Sequence, residues 1–298
     1  MDGHSDPRSR DSILPLHSSR SAYPPVFQSW SRIQAWLSRN YPELGDTLNY
    51  GIQPQDLLEI QLQLGFALPH PVRDSYLQVD GQEVESSAGC SEGLFFGLSL
   101  LSLEEVLEEW KFWRDVDDDP ASGANPELQQ RMKSIPSGWV RCEYSNRGWV
   151  PLATDRVGNY LGVDMSPGEK GSPGQVIVFG RDFDTKVVMW RGDGEAGWAK
   201  WLANFAEELE TGDLLEVGNQ GAESDDSEDS IGHEPYFFDG TATGNRGQSG
   251  GGDGNTVGMR LTGEYKGWNV LEALADRSVK KWKEAGIVTD EECEYKIH

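Results

Sequence analysis

At 298 residues the chain is long enough to bury a core without metal or disulfide staples, and its formal net charge of -24 repels phosphate backbones and anionic lipid alike. That charge excludes nucleic-acid and membrane-surface roles, and without a run of about eighteen apolar residues no membrane insertion is expected. A hydrophobic share of 37% with eleven tryptophans feeds a packed interior, whereas thirty-five glycines and a mean hydropathy of -0.58 leave part of the chain outside it.

Residues 1–23, rich in Ser, Arg, Asp and Pro, are expected to form a disordered arm. From Pro24 a folded core begins: Val26, Trp30, Ile33 and Leu37 fall at helical spacing, and the helix ends near Asn40. After Gly51 and Pro54, the run of Leu57, Leu58, Ile60, Leu62 and Leu64 predicts a helix entering a turn. Val72, Tyr76 and Val79 share a face of a third helix, with Gly81 as its C-cap. The run from Gly93 reads as a bent strand, and Ser102 followed by Glu105 reads as a capping box opening a helix through Val106, Leu107 and Trp110.

An acidic loop and a helical patch at 128–132 lead into predicted strands at 139–144, 149–152, 159–164, 175–180 and 186–190, whose short connections favour an antiparallel meander. A helix carrying Trp198, Trp201, Leu202 and Phe205 closes the core at Gly212 and covers one sheet face. Residues 213–254 are an acidic Gly/Ser-rich stretch with no lysine and the single arginine Arg246, read as a disordered linker. In 255–298, Leu271, Leu274, Val279 and Trp282 predict one or two short helices that pack on the core or reach a partner. The fold class is therefore α+β, a mainly antiparallel sheet flanked by helices.

Catalytic signals are sparse. His4, His17, His70, His233 and His298 show no HExxH or HxH spacing, and SPGEKGSPG lacks the order of a phosphate-binding loop, so no metal or other cofactor is expected. Cys90, Cys142 and Cys293 are odd in number and far apart, which fits thiols in a reducing compartment such as the cytoplasm. A glycan hydrolase would need two placed carboxylates, for which Asp164 and Asp182 are one candidate pair.

Binding signals are more frequent. Trp110 and Trp113 beside acids, together with Asp117, Asp118 and Asp119 of the acidic loop, are candidate partner-binding residues. Exposed tryptophans also stack on sugars, and the alternative function is a carbohydrate-binding module. Arg8 and Arg10 ahead of Leu14 and Leu16 follow the basic-then-apolar order of segments that dock on MAP kinases. Ser166 and Ser172, each before a proline, and Ser224 and Ser227, within acids, are candidate phosphorylation sites.

The segments LLEIQLQLGFALPHPVRDSYLQVDGQE, GLFFGLSLLSLEEVLEEW, WVPLATDRVGNYLGVDMSPGEKGSPGQVIVFGRD and WAKWLANFAEEL, in this order, resemble the SUKH superfamily over roughly 24–212. Within it the likeness is to the fungal regulators of cell-wall assembly and glucan synthesis. Leu68-Pro69, Asp80-Gly81, the helix start after Leu101 and the 158–164 strand carry it. The resemblance implies a non-enzymatic protein-interaction scaffold in cell-wall-integrity signalling, with a MAP kinase and other signalling proteins as partners and effects on glucan and chitin synthesis. The expected address is the cytoplasm, enriched at sites of polarised growth.

Overall fold

A computed structural model describes residues 23–83, 90–193, 195–219 and 257–289. Prolines open the first helices, because a residue with fixed φ and no amide hydrogen costs little where that hydrogen has no intrahelical acceptor. Pro25 precedes α1 (Val26–Asn40), Pro42 starts the single turn α2 (Pro42–Gly45), Pro54 starts α3 (Pro54–Leu64), and Pro71 lies in the first turn of α4 (His70–Tyr76). At α5 (Leu103–Asp117) the capping box forms as read: the Ser102 hydroxyl accepts from Glu105 N, and the Glu105 carboxylate accepts from Ser102 N. Asn125 caps α6 (Pro126–Arg131), α7 (Gly197–Thr211) ends on Gly212 at φ 71, and Asn269 caps α8 (Val270–Glu284).

The strands β1 (Ser99–Leu100), β2 (Lys133–Ile135), β3 (Trp149–Thr154), β4 (Asn159–Asp164), β5 (Gln175–Gly180) and β6 (Thr185–Trp190) form one sheet in the order β1-β3-β4-β5-β6-β2. Every pairing is antiparallel except β2 with β6. This is the predicted α+β architecture, a mainly antiparallel sheet flanked by helices.

All residues of β3, β4 and β5 are buried, so these strands read as continuous apolar runs with cover on both faces. The register pairs Tyr160 with Phe179 and Val178 with Val187, and neighbouring residues of a strand point to opposite faces. Trp113 of α5 meets Tyr160 on one face, with ring centres 6.1 Å apart, while Val187 clusters with Ala275 and Val279 of α8 on the other. Along α1 and across β5 and β6 lies α7, which sends Trp198, Trp201 and Phe205 around the ring of Phe95.

Four stretches depart from the sequence reading. Residues 139–144 form no strand, because β2 occupies the edge of β6 and leaves 139–144 no ladder to join. Its polar groups bond elsewhere: Val140 N donates to Ser134 Oγ at 2.9 Å, and the Trp139 carbonyl accepts from Gln175 Nε2 at 2.8 Å. The run from Gly93 is mostly a tight turn, with Leu98 N donating to the Phe95 carbonyl at 3.0 Å, and only β1 is strand.

Helix α4 stops at Tyr76, so Gly81 is not its C-cap. Gly81 is instead needed where the chain enters α5: it sits at φ 77, and a Cβ there would lie 2.3 Å from Ser102 N. Gly81→Ala is accordingly expected to cost at least about 2 kcal/mol, read from the midpoint of urea unfolding; an unchanged midpoint would show that this backbone yields freely.

The stretch read as linker from residue 213 begins with a strand, β7 (Leu215–Asn219), paired antiparallel with β8 (Val257–Leu261). Leu215, Met259 and Leu261 are buried in the main core. A 3-10 turn (Gly263–Tyr265) then leads into α8, a single helix whose buried Leu271, Leu274 and Val279 dock it on the sheet.

Candidate partner-binding surface

Helix α5 turns Leu103, Val106, Leu107, Trp110 and Trp113 inward, a spacing of three and four that puts all five on one face. That face fixes what points out: Glu104, Glu108, Lys111, Phe112 and Asp115 are exposed. Two grooves flank this outer face and share Glu108 as their ridge. The first, about 430 Å³, lies against α3 with Ile52, Ile60 and Leu107 at its base and Asp56, Glu59 and Glu104 at its walls. In the second, about 540 Å³, Leu101, Phe112 and Tyr160 meet Glu105, Glu109 and Arg156 of the turn after β3.

The surface holds uncompensated negative charge. Asp56, Glu59, Glu104 and Glu108 make no ion pair among the described residues, and Lys111 donates to the neutral Gln63 Oε1 at 2.8 Å. Asp80, also lining the first groove, is pushed above the usual carboxylate range, by burial first and then by Glu105, Glu104 and Asp56, against the opposing donor Leu103 N at 2.8 Å. In the second groove Tyr160 Oη donates to Glu109 Oε2 at 2.6 Å, and burial followed by that carboxylate drives the phenol well upward. An apolar base under unpaired carboxylates suits a basic segment that also carries apolar side chains.

The sequence candidates are distributed unevenly around this surface. Neither Trp110 nor Trp113 offers an exposed ring: they are 5% and 6% exposed, because the helical period takes both inward, and the outward ring is Phe112 at 57%. Trp110 Nε1 donates to the Arg147 carbonyl at 2.8 Å, and Arg114 stands over the ring at 5.2 Å. Asp117 pairs with Arg114 at 3.2 Å and accepts from Ser145 Oγ. Burial raises Asp117 despite that arginine. Asp118 is the exposed residue closing α5, while Asp119 accepts from Ala121 N and Ser122 Oγ, the backbone donor first holding it below the usual range.

Ser166 and Ser172 are half-buried in the β4–β5 connection. Ser166 N donates to Asp164 Oδ1 at 2.8 Å, its hydroxyl accepts from Arg141 Nε at 3.2 Å, and Ser172 N donates to Gln175 Oε1 at 3.4 Å. Arg8, Arg10, Leu14, Leu16, Ser224, Ser227 and Cys293 lie outside the described residues. Phe112 and the two grooves were missed, although the inward set at 103, 106, 107, 110 and 113 already implied an outward Phe112.

Asp164 and Asp182 cannot act as a hydrolytic pair. Asp164 is 0% exposed at one end of β4, while Asp182 accepts from the Asn159 side chain at the other end. A strand of that length separates them by roughly 16 Å, against the roughly 5 to 9.5 Å that glycosidic cleavage needs. Trp268, at 48%, is the only exposed indole, so the described residues hold no platform of several rings for sugar stacking. Among them no group of three His, Cys, Asp or Glu could hold a metal ion, and no helix is long and apolar enough to cross a membrane.

Comparison with known proteins matches residues 51–195 to the SMI1 / KNR4 family (SUKH-1). The chain is 40% identical to the cell wall biosynthesis/cell cycle regulator smi1 of Schizosaccharomyces pombe, over 67% of this chain and 39% of that protein. It is 37% identical to the glucan synthesis regulatory protein of Neurospora crassa, over 63% of this chain and 39% of the relative. To the cell wall assembly regulator SMI1 of Saccharomyces cerevisiae it is 34% identical, over 62% and 40%. The chain thus matches about two fifths of the length of these relatives. Residues 51–195 thus match the SMI1 / KNR4 family (SUKH-1), and the chain is similar there to relatives named as regulators of cell-wall and glucan synthesis.

Proposed function

We propose that the protein regulates fungal cell-wall synthesis, glucan synthesis in particular, by binding other proteins in the cytoplasm and without turning over a substrate. One observation carries this reading: the family match at 51–195 contains every residue lining both grooves beside α5, so the matched unit and the candidate docking surface coincide. The names of the relatives supply the process, and the unpaired carboxylates over an apolar base supply the kind of contact, a basic segment of a partner protein. The same reading places a MAP kinase among the partners, reached through Arg8, Arg10, Leu14 and Leu16, with Ser166, Ser172, Ser224 and Ser227 as sites where phosphate adjusts the contact.

A chimera tests it, in which this chain replaces the matching region of the S. pombe relative in cells lacking that protein. Cell-wall β-glucan is expected to return to the wild-type level with the native surface and to stay abnormal with Phe112→Ser plus Glu108→Arg, both proteins being soluble at equal abundance. Equal restoration by both would remove the α5 surface from the account, and restoration by neither would remove the regulatory role.

A further inference from the structure

On the sheet face opposite α5, a third groove of about 260 Å³ runs between the end of β6 and α8, walled by Met189, Trp190, Arg191, Lys281, Trp282 and Ala285. Its shape is held from behind. Trp282 Nε1 donates to the Val188 carbonyl at 2.6 Å, the Trp282 ring packs on Trp139 with centres 5.3 Å apart, and the Arg191 guanidinium lies 5.1 Å over Trp139.

In a chain of net charge -24 this groove is locally basic. Lys281 makes no ion pair among the described residues, and its ammonium is held below the usual range by burial first and by Arg277 second, against Glu208 and Glu284. The one acid of the wall, Asp193, is shared between Lys200 at 2.8 Å and Arg191 at 3.8 Å, so it does not balance the cations around it. Apolar rings beside an excess of cations call for an occupant that is both aromatic and acidic.

Outside the described residues, 290–295 combines four acids with the single ring of Tyr295, and one stretch carries a cluster of rings among acids. Between β7 and β8, whose paired ends are Asn219 and Val257, the residues Tyr236, Phe237 and Phe238 are the only aromatic cluster. Asp225, Asp226, Glu228, Asp229, Glu234 and Asp239 accompany them, with no Lys or Arg up to residue 240. Seventeen residues from Asn219 reach roughly 55 Å, further than the roughly 45 Å across a domain of this size. Both ends are anchored to the same core, so the local concentration is far above that of a free peptide. We propose that residues 234–239 of this chain dock through Tyr236, Phe237 and Phe238 on the Trp190–Trp282 groove, with the neighbouring acids facing Arg191 and Lys281, and that this surface is thereby self-occupied.

Hydrogen–deuterium exchange of the full chain tests the proposal. In a Tyr236→Ser, Phe237→Ser, Phe238→Ser variant, exchange across 278–286 is expected to rise about fivefold, and a synthetic peptide of residues 233–240 added in excess should reverse the rise. Arg191→Gln with Lys281→Gln should give the same rise and no response to the peptide. Unchanged exchange in the aromatic-free variant overturns the proposal. So does protection of the native chain by added peptide, which would mean an open groove awaiting a partner's segment. Protection that grows with chain concentration, alongside a dimer mass, overturns it in favour of a second copy.

Discussion

Trp113→Ala is expected to destabilise the protein by about 3–5 kcal/mol, the cost of emptying a buried indole site, while Phe112→Ser one residue away changes stability by no more than about 0.5 kcal/mol. The contrast follows from the turn of α5. Trp113 is 6% exposed and wedged against Tyr144 and Tyr160 with ring centres 5.8 Å and 6.1 Å away. Its loss opens a cavity between the helix and the sheet, and each aromatic contact adds to the area term. Phe112 is 57% exposed, and its main partner is the edge of Trp113 at 6.0 Å. Urea unfolding of the two variants checks this directly, and similar losses in both would mean that the outward ring is structural and not available to a partner.

The second large effect concerns Lys186, 0% exposed on β6. Its ammonium donates to the Phe183 carbonyl at 2.6 Å and to Met132 Sδ at 3.3 Å, and lies 5.9 Å and 5.7 Å from the rings of Tyr144 and Trp149. None of the ion pairs among the described residues includes it, so burial pushes the group down to about 8, with Asp184 opposing. Between about pH 8 and its ordinary value of 10.5 the unfolded chain holds a proton that the folded chain has released. Stability therefore rises with pH across that window by about 3 kcal/mol, and below pH 8 the full penalty of the buried charge is present.

Lys186→Met should abolish this slope. Stranding the Phe183 carbonyl costs about 1–3 kcal/mol at every pH, so the slope and not the absolute stability is diagnostic. Unfolding free energies of both proteins across the window provide the measurement, and parallel curves would contradict a burial penalty on the Lys186 charge. Asp164 acts with the opposite sign at lower pH. Burial raises it to about 6, so from its ordinary 3.8 up to about 6 the folded chain retains a proton that the unfolded chain has lost, and stability falls as pH rises.

How much of this was legible in the sequence depended on how local each signal is. Helices α1, α3, α5 and α7 and strands β3 to β6 announce themselves through periodicity, prolines at helix starts and apolar runs, all set within a few residues. The capping box of Ser102 and Glu105 was read at residue level for the same reason. Residues 139–144 have strand composition, but whether they pair depends on β2, which enters from elsewhere and runs parallel to β6. Likewise β7 and β8 are short, and among the described residues each finds its partner strand across thirty-seven intervening residues rich in Gly, Ser and acid. The grooves beside α5 and α8 are made by distant segments brought together, so no window of sequence contains them. Trp110 and Trp113 were misplaced because composition drew attention to the rings, whereas the heptad-like spacing from Leu103 decides their direction.

The central claim is that the region similar to the SUKH-1 family works by protein contact through the outer face of α5. The most direct test is quantitative mass spectrometry of proteins co-purifying with the full chain from fungal cells, native against Phe112→Ser with Glu108→Arg. The account predicts a discrete set of partners with the native chain, depleted about tenfold or more by the double substitution, since a central contact is worth about 2 kcal/mol or more. Recovery of the same proteins in the same amounts with both chains, each folded, would contradict it.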